Sequence, residues 1–337
     1  MRLDVRATVA GFAGAIAVLA LLAWLVGLEE LFAVLSMASA SGITAVFAAA
    51  VVWLVAWALA LATVLSALGA PISAPRAVAV YAGVLFSNNV TPFGQAGGEP
   101  ISALLISESA DTAYENALAA IASADSINFV PSTALALIGV TYYSVAAAAG
   151  DELRLATAAV VLLAVGMPIA GVLAWRNRER LEAGIGRTLT PIAKTVGRRV
   201  PRLSVPTRKA IQSRVDGFFR SLEDVATDRR SLATAIGLST VGWIAQATAL
   251  WCAFYAIGVP VSPEAVLVAV PVGAIASVTP LPGGLGGVEA ALIGLLVPLA
   301  GVSAATAAAA IVLHRGAIYW LPTFIGGGVA AALAADR

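Results

Sequence analysis

Thr279-Pro-Leu-Pro-Gly-Gly-Leu-Gly-Gly-Val-Glu289 places two prolines, four glycines and one carboxylate within eleven residues, inside a region apolar enough for a membrane. Pro lacks the backbone donor that a helix needs, and Gly is the weakest helix former after Pro, so this run cannot be an ordinary helix. Broken backbone at membrane depth persists only where protein buries it or water reaches it. A second stretch, Thr91-Pro-Phe-Gly-Gln-Ala-Gly-Gly-Glu99, has the same order: Thr-Pro, a Gly-Gly pair, a Glu, then an apolar run.

The surrounding composition is that of an all-α, polytopic helical membrane protein. Of 337 residues, 60% are hydrophobic and 12% charged, and the mean hydropathy is +0.93. A soluble protein carries about 25% charged residues. The formal net charge is +1, which points to no nucleic-acid partner. The charge is unevenly spread: residues 176–230 hold fourteen of the twenty Lys and Arg against six acids, a local net of +8. The single cysteine, Cys252, excludes an internal disulfide. One cysteine and one histidine, His314, give no metal-ligand cluster, so neither a metal nor a cofactor is expected. The apolar run from Ala7 to Leu28 follows Arg2 and Arg6 and precedes Ala38-Ser39-Ala40, which mimics a signal-peptidase site. The run is too long for a signal sequence and long enough to span, so it is read as a retained first span.

In chain order, six to eight spans are expected in one integral membrane domain, residues 1–337. The first span covers Thr8 to Leu28, and Glu29 and Glu30 open a short loop. The second covers Ile43 to Leu68. Residues 77–108 read as a re-entrant hairpin broken around Ser87 to Pro92. The third span runs from Asn116 to Tyr143, and Asp151 and Glu152 mark an acidic loop. The fourth spans Leu153 to Trp175. Within the basic loop 176–230, Ile211, Val215, Phe218, Phe219, Leu222 and Val225 recur at helical spacing, which predicts an amphipathic helix at the membrane surface. The fifth span covers Ser231 to Ile257, with Gln246 in its middle. Residues 261–297 form a second broken hairpin. The last apolar stretch, Ala304 to Ala335, is longer than one simple span, so it is either kinked or split near Pro322.

Lys and Arg favour the cytoplasmic side. With the 176–230 loop and the N-terminus inside, every charge cue except Arg154 agrees. The first hairpin then opens to the cytoplasm and the second to the exterior. Residues 43–147 and 231–335 thus read as two repeats of opposite orientation. Interrupted segments at matching positions of two halves point to a transporter site at their interface.

The candidate site residues follow from membrane depth. Glu99 and Glu289 stand after the Gly-Gly pairs, at the start of the second helix of each hairpin. Each is either a first-turn carboxylate favoured by the helix dipole or a cavity carboxylate that binds a cation or carries a proton. Asn88, Asn89, Thr91 and Gln95 would line a headgroup pocket or satisfy the broken backbone, and Thr279 matches Thr91 in the second break. Asp125 and Asn128 share one face of the third span with Ser132. A carboxylate at that depth costs about 2.5–3.5 kcal/mol on insertion scales and needs a partner or water. Arg315 is the expected partner of Asp125, as a structural pair or as a site where Arg315 grips a phosphate. His314 would either titrate near neutral pH or pack as an ordinary core residue. The tryptophans read as interface belt or core.

The Asn88-to-Glu99 block, the Thr279-to-Glu289 block, and Arg315 followed by Tyr319 and Pro322 resemble the family containing the transmembrane domain of lysylphosphatidylglycerol synthase. This flippase-like family is also found fused to glycosyltransferases. The resemblance covers nearly the whole chain. It implies a lipid-handling protein that moves an anionic phospholipid or a polyprenyl-phosphate-linked lipid between leaflets. The chain lacks a soluble aminoacyl-transferase domain after Arg337, so it is expected not to make aminoacyl-lipid itself.

Three classes remain open. A translocase would put the candidate residues around a polar cavity between the hairpins. A non-catalytic membrane partner of a separately encoded synthase or glycosyltransferase would use the basic loop as a docking surface. An intramembrane lipid-modifying enzyme needs a nucleophile or metal set, and no HExxH, Ser-His-Asp set or Asp-x-Asp pair occurs, so catalysis is not expected. No nucleotide-binding loop is present either.

Overall fold

The computed structural model describes residues 5–91, 94–146, 173, 176–177 and 208–335. Among them the chain is helical, in twelve α-helices: α1 (Val5–Val26), α2 (Leu28–Ser36), α3 (Ala40–Ala67), α4 (Ala74–Val90), α5 (Gln95–Ala110), α6 (Tyr114–Ala146), α7 (Arg208–Thr227), α8 (Arg229–Ala256), α9 (Pro263–Ile275), α10 (Gly287–Ala300), α11 (Ala304–Arg315) and α12 (Leu321–Ala335). Five segments among the described residues are long and apolar enough to cross a membrane, or six if the bent pair α1–α2 is counted as one. The expected fourth span, its acidic loop with Arg154, residues 178–207 of the basic loop, and Pro92 and Phe93 of the first motif lie outside the described residues.

Local chemistry sets the helix ends. Ser39 caps α3, its hydroxyl accepting from the Gly42 amide at 3.2 Å. Asp228 caps α8, its carboxylate accepting from the Arg230 and Ser231 amides. These contacts hold the exposed Asp228 carboxyl below the usual carboxylate range, the side-chain bond with Ser231 contributing most. Ser303 caps α11 by accepting from the Thr306 amide. Side-chain oxygens thus satisfy amides that have no partner within the helix.

The architecture is organised by α3 and α8, which pack along their length and run antiparallel. The Ser39 amide donates to the Ala256 carbonyl at 2.9 Å, and further along Trp57 Nε1 donates to the Ser239 carbonyl at 3.3 Å. Glycine makes this approach possible. A Cβ on Gly42 would stand 2.5 Å from the Ala256 backbone, and one on Gly242 would stand 2.1 Å from the Trp57 indole. Small residues are how helices come close where lipid supplies no hydrophobic drive between them. The other contacts exchange the halves: α4 packs on α12, and α9 packs on α6. The leading helix of each hairpin therefore lies on the last helix of the opposite half. Large apolar side chains such as Trp24, Phe32, Tyr255 and Phe324 are more than 60% exposed, as a lipid-facing surface requires.

Both breaks fall where the glycines and prolines put them. The first hairpin turns between α4 and α5, where Thr91 Oγ1 donates between the Ser87 and Gly94 carbonyls and Gly94 takes φ +53°. The second passes through two 3₁₀ turns, Ala276–Val278 and Pro282–Gly284, before α10 starts. Gly283, Gly284 and Gly286 all take positive φ there, a region that costs L side chains energy. The tips of the hairpins meet: a Cβ on Gly94 would stand 3.1 Å from the Ser277 carbonyl, and one on Gly283 would stand 3.0 Å from Asn89 Cα.

Three expectations are corrected or decided here. Glu29 and Glu30 are not in a loop. The chain breaks at Gly27 (φ +92°), bends by 84°, and places both acids in the first turn of α2, where the helix dipole favours negative charge. The apolar stretch Ala304–Ala332 is one candidate span, with a π-helical segment, Gly316–Trp320, between α11 and α12. That irregularity directly precedes Pro322, whose missing N–H interrupts the helical ladder. The amphipathic helix forms as α7 and packs on α6, with Val225 buried and the Ser221 hydroxyl donating to Asn116 Oδ1 at 3.0 Å.

The contact of α1 with the second break has no counterpart in the sequence reading. Gly11 and Gly14 would carry Cβ atoms 3.1 Å from Pro282 and 3.3 Å from Leu281, and Val18 packs on Gly286. Ala15, Leu285 and Tyr319 form a small core there. The first helix thereby shields the broken backbone from lipid.

Candidate functional site

A cavity of about 360 Å³ lies where the two hairpins and the α3–α8 pair converge. Both halves build it. Trp53 and Trp57 come from α3, Tyr81 and Asn88 from α4, Asp125 and Asn128 from α6, Trp243 and Gln246 from α8, and His314 and Arg315 from α11. Gly94 and Gln95 of the first break, and Ser277 and Gly283 of the second, also reach it. Its size suits a small ligand or a headgroup, in the range of known ligand clefts.

Seven of the eleven candidate residues line this cavity: Asn88, Asn89, Gln95, Asp125, Asn128, His314 and Arg315. Thr91, Glu99, Thr279 and Glu289 do not. Thr91 is spent on the broken backbone. Thr279 packs on Gly287, and its hydroxyl is buried without a hydrogen-bond partner. Asn89 ties the halves together. Its Nδ2 donates to Thr323 Oγ1 at 2.8 Å and to the Tyr319 carbonyl at 3.3 Å, and its carbonyl accepts from the Tyr319 hydroxyl at 2.9 Å. Asn128 fixes α6 against α8, accepting from the Ser239 hydroxyl through Oδ1 and from Trp243 Nε1 through its carbonyl.

The expected Asp125–Arg315 pair is not formed. Arg315 Nε instead donates to Glu289 Oε1 at 2.7 Å, and its Nη2 reaches the Gly283 carbonyl at 3.3 Å. The guanidinium lies 4.7 Å from the centroid of the Tyr319 ring, a cation–π arrangement. The physical reason is local. Glu289 is on α10, directly before α11 in the chain, and those helices pack together, whereas Asp125 belongs to the opposite half. The other Glu289 oxygen accepts from the Gly286 amide at 2.6 Å. One carboxylate therefore caps α10, closes the second break and orients Arg315. Both side chains are shielded, 13% exposed for Arg315 and 11% for Glu289. Among the described residues no hydrogen bond engages Nη1 of Arg315, so a donor remains on a cation that lines the cavity.

Asp125 has a different environment. Its Oδ2 is buried without a hydrogen-bond partner. Gln95 lines the same cavity, and the Glu99 carboxylate is close enough to repel it. His314 is 4% exposed, and neither ring nitrogen has a hydrogen-bond partner among the described residues.

Sequence reasoning missed the aromatic wall. Trp57 packs edge-on against Trp53, Tyr81 and Trp243, with centroids 5.6, 6.5 and 5.4 Å away. The signal was present: Trp53 and Trp57 are four residues apart in mid-span, away from the interface where belt tryptophans sit. Among the described residues no group of three or more His, Cys, Asp and Glu side chains is placed to hold a metal ion.

Residues 9–326 match the family model described as the lysylphosphatidylglycerol synthase TM region. A UPF0104 membrane protein of Methanothermobacter thermautotrophicus is 30% identical over 268 residues, covering 75% of this chain and 72% of the relative. A second UPF0104 membrane protein of that organism is 27% identical over 249 residues, covering 71% and 70%. One from Pyrococcus horikoshii is 22% identical over 249 residues, covering 72% of each chain.

Proposed function

Because the chain belongs to the family of the lysylphosphatidylglycerol synthase transmembrane region, we propose that it is a lipid translocase, passing the headgroup of an anionic phospholipid or polyprenyl-phosphate lipid between leaflets through the cavity between its hairpins. The observation that carries this reading is Arg315. It is a cation at membrane depth, held by Glu289 and Tyr319, lining a headgroup-sized cavity at the point where the two breaks touch. Arg matches phosphate geometry and is more weakly hydrated than Lys, so it suits a site that must take an anion out of water and release it again. Glu289 lowers the net charge of the site, which keeps the anion from being trapped. The start of α5 lies at the same place, and a helix N-terminus favours an anion.

The Lys and Arg bias supports a cell-membrane orientation with the N-terminus and the 176–230 loop in the cytoplasm. The first hairpin then opens inward and the second outward, and the headgroup site is reached alternately from the two faces. Attraction of the basic loop to anionic headgroups, about 1 kcal/mol per basic residue near the surface, would gather substrate on the cytoplasmic leaflet.

The test is reconstitution of the purified chain into vesicles carrying a fluorescent phosphatidylglycerol in both leaflets, followed by a membrane-impermeant quencher. Translocation drives the signal beyond the half that protein-free vesicles lose. A loss confined to that half would overturn the reading and leave a scaffold for a separate synthase or glycosyltransferase as the better one.

A further inference from the structure

We propose that α1 is a side gate to the cavity, a helix hinged at Gly27 that swings off the second break and opens the wall beside Gly283 and Tyr319. This rests on the reading that a lipid headgroup occupies the cavity, and it assigns the opening through which the acyl chains stay in the bilayer meanwhile.

The wall between α1 and the cavity is thin. Ala15 of α1 forms a small core with Leu285 and Tyr319, and Phe12, Leu19 and Leu281 pack around it. Tyr319 also lines the cavity and lies against the Arg315 guanidinium. A single side chain thus separates α1 from the cavity cation. Gly11 stands on Pro282, and the next residue, Gly283, lines the cavity as well.

The seam along α1 is apolar and shallow. Gly11, Gly14 and Val18 face Pro282, Leu281 and Gly286. From Gly11 to Val26 only Ala15 is buried, and Ile16, Leu21, Trp24 and Leu25 are more than half exposed. Lipid tails are as apolar as these side chains, so replacing the helix by lipid along this seam carries no hydrophobic penalty.

The break also keeps its hydrogen bonds without α1. Irregular backbone is barred from lipid because its polar groups go unpaired there. Here the Gly284 amide donates to the Leu281 carbonyl at 3.0 Å and the Leu285 amide to the Pro282 carbonyl at 3.1 Å. The Gly286 amide donates to Glu289, and the Gly283 carbonyl accepts from Arg315. All of these partners belong to the second half, so a displaced α1 leaves each of them paired.

The hinge stands at the other end of α1. The chain turns by 84° at Gly27, whose φ of +92° suits glycine and strains other residues. Beyond it α2 packs on α11 with Leu31 buried, so the base of α1 is anchored. A Cβ on Gly27 would meet Glu30 alone within 4 Å, at 3.9 Å, so the bend is uncrowded. Changes of φ and ψ at such a helix end are how hinge motions are absorbed.

The test uses the full chain carrying Cys252→Ser, which removes the one native thiol. Gly14→Cys and Leu281→Cys, at positions in contact across the seam, are joined by a short bifunctional methanethiosulfonate. The joined chain should redistribute fluorescent phosphatidylglycerol no faster than protein-free vesicles do, and reductant should restore the rate. Equal rates for the joined and reduced chains would overturn the gate and leave the translocase reading standing. The hinge is read separately, by the distance between spin labels at Ile16→Cys and Ile244→Cys, both exposed, in phosphatidylcholine nanodiscs. Two distances are expected, and a single one would overturn the proposal. If the chain moves no lipid at all, the translocase reading falls and the spin labels still decide the hinge in the same way.

Discussion

Glu289 and Arg315 are joined by a 2.7 Å ion pair in which the carboxylate also accepts the Gly286 amide at 2.6 Å. A single side chain thus ends the broken segment, starts α10 and aims the cavity cation. Removing one member of a buried pair costs about 3–5 kcal/mol, because the other is left uncompensated. Glu289→Ala should therefore lower stability to chemical unfolding more than Glu289→Gln, which keeps an acceptor for the Gly286 amide. In a double-mutant cycle, Glu289→Gln with Arg315→Leu should cost less than the sum of the two single changes. Additivity would show that the pair is not coupled.

The antiparallel α3–α8 crossing depends on missing side chains. Gly42→Ala would push a methyl to 2.5 Å from the Ala256 backbone, where nothing flexible can yield, so a loss of about 1–3 kcal/mol is expected, the usual cost of overpacking. Gly237→Ala on α8 meets nothing within 4 Å and should be neutral or stabilising by up to about 1 kcal/mol from helix propensity. Thermal unfolding in detergent should fall for Gly42→Ala and hold or rise for Gly237→Ala.

Tyr319 and Asn89 form the tie between the halves. Tyr319→Phe removes the hydroxyl that donates to the Asn89 carbonyl and keeps the ring beneath Arg315, so a loss of about 1 kcal/mol is expected. Gly283→Ala should cost more, because the residue sits at φ +55° and its new methyl would meet Tyr319 at 2.4 Å. If both variants unfold like the parent, the halves are not held together here.

The parts of the fold that local rules govern were legible. Pro and Gly placed both breaks, apolar length placed the spans that fall within the described residues, and the i, i+3, i+7 spacing of Asp125, Asn128 and Ser132 put all three on the cavity wall. What could not be read was pairing between distant segments. From sequence Asp125 was the expected partner of Arg315, and the packing of α10 on α11 gives Arg315 to Glu289 instead. The docking of α1 on the second break has the same origin. Gly11 and Gly14 permit close approach, but nothing in them names Pro282 and Leu281 as neighbours. A glutamate is costly at membrane depth, and for Glu289 the Gly286 amide and Arg315 offset that cost outside the cavity.

The most direct measurement compares lipid redistribution in vesicles for the parent chain, Ser132→Phe and Ser126→Phe. Ser132 lines the cavity, and a phenyl ring there takes up space in it while both residues of the Glu289–Arg315 pair stay in the chain. Ser126 is exposed on the same helix and serves as the control. If the cavity carries the headgroup, the parent and Ser126→Phe move fluorescent phosphatidylglycerol across the bilayer, and Ser132→Phe falls to the rate of protein-free vesicles. A folded Ser132→Phe chain that moves lipid as fast as the parent would contradict a path through this cavity.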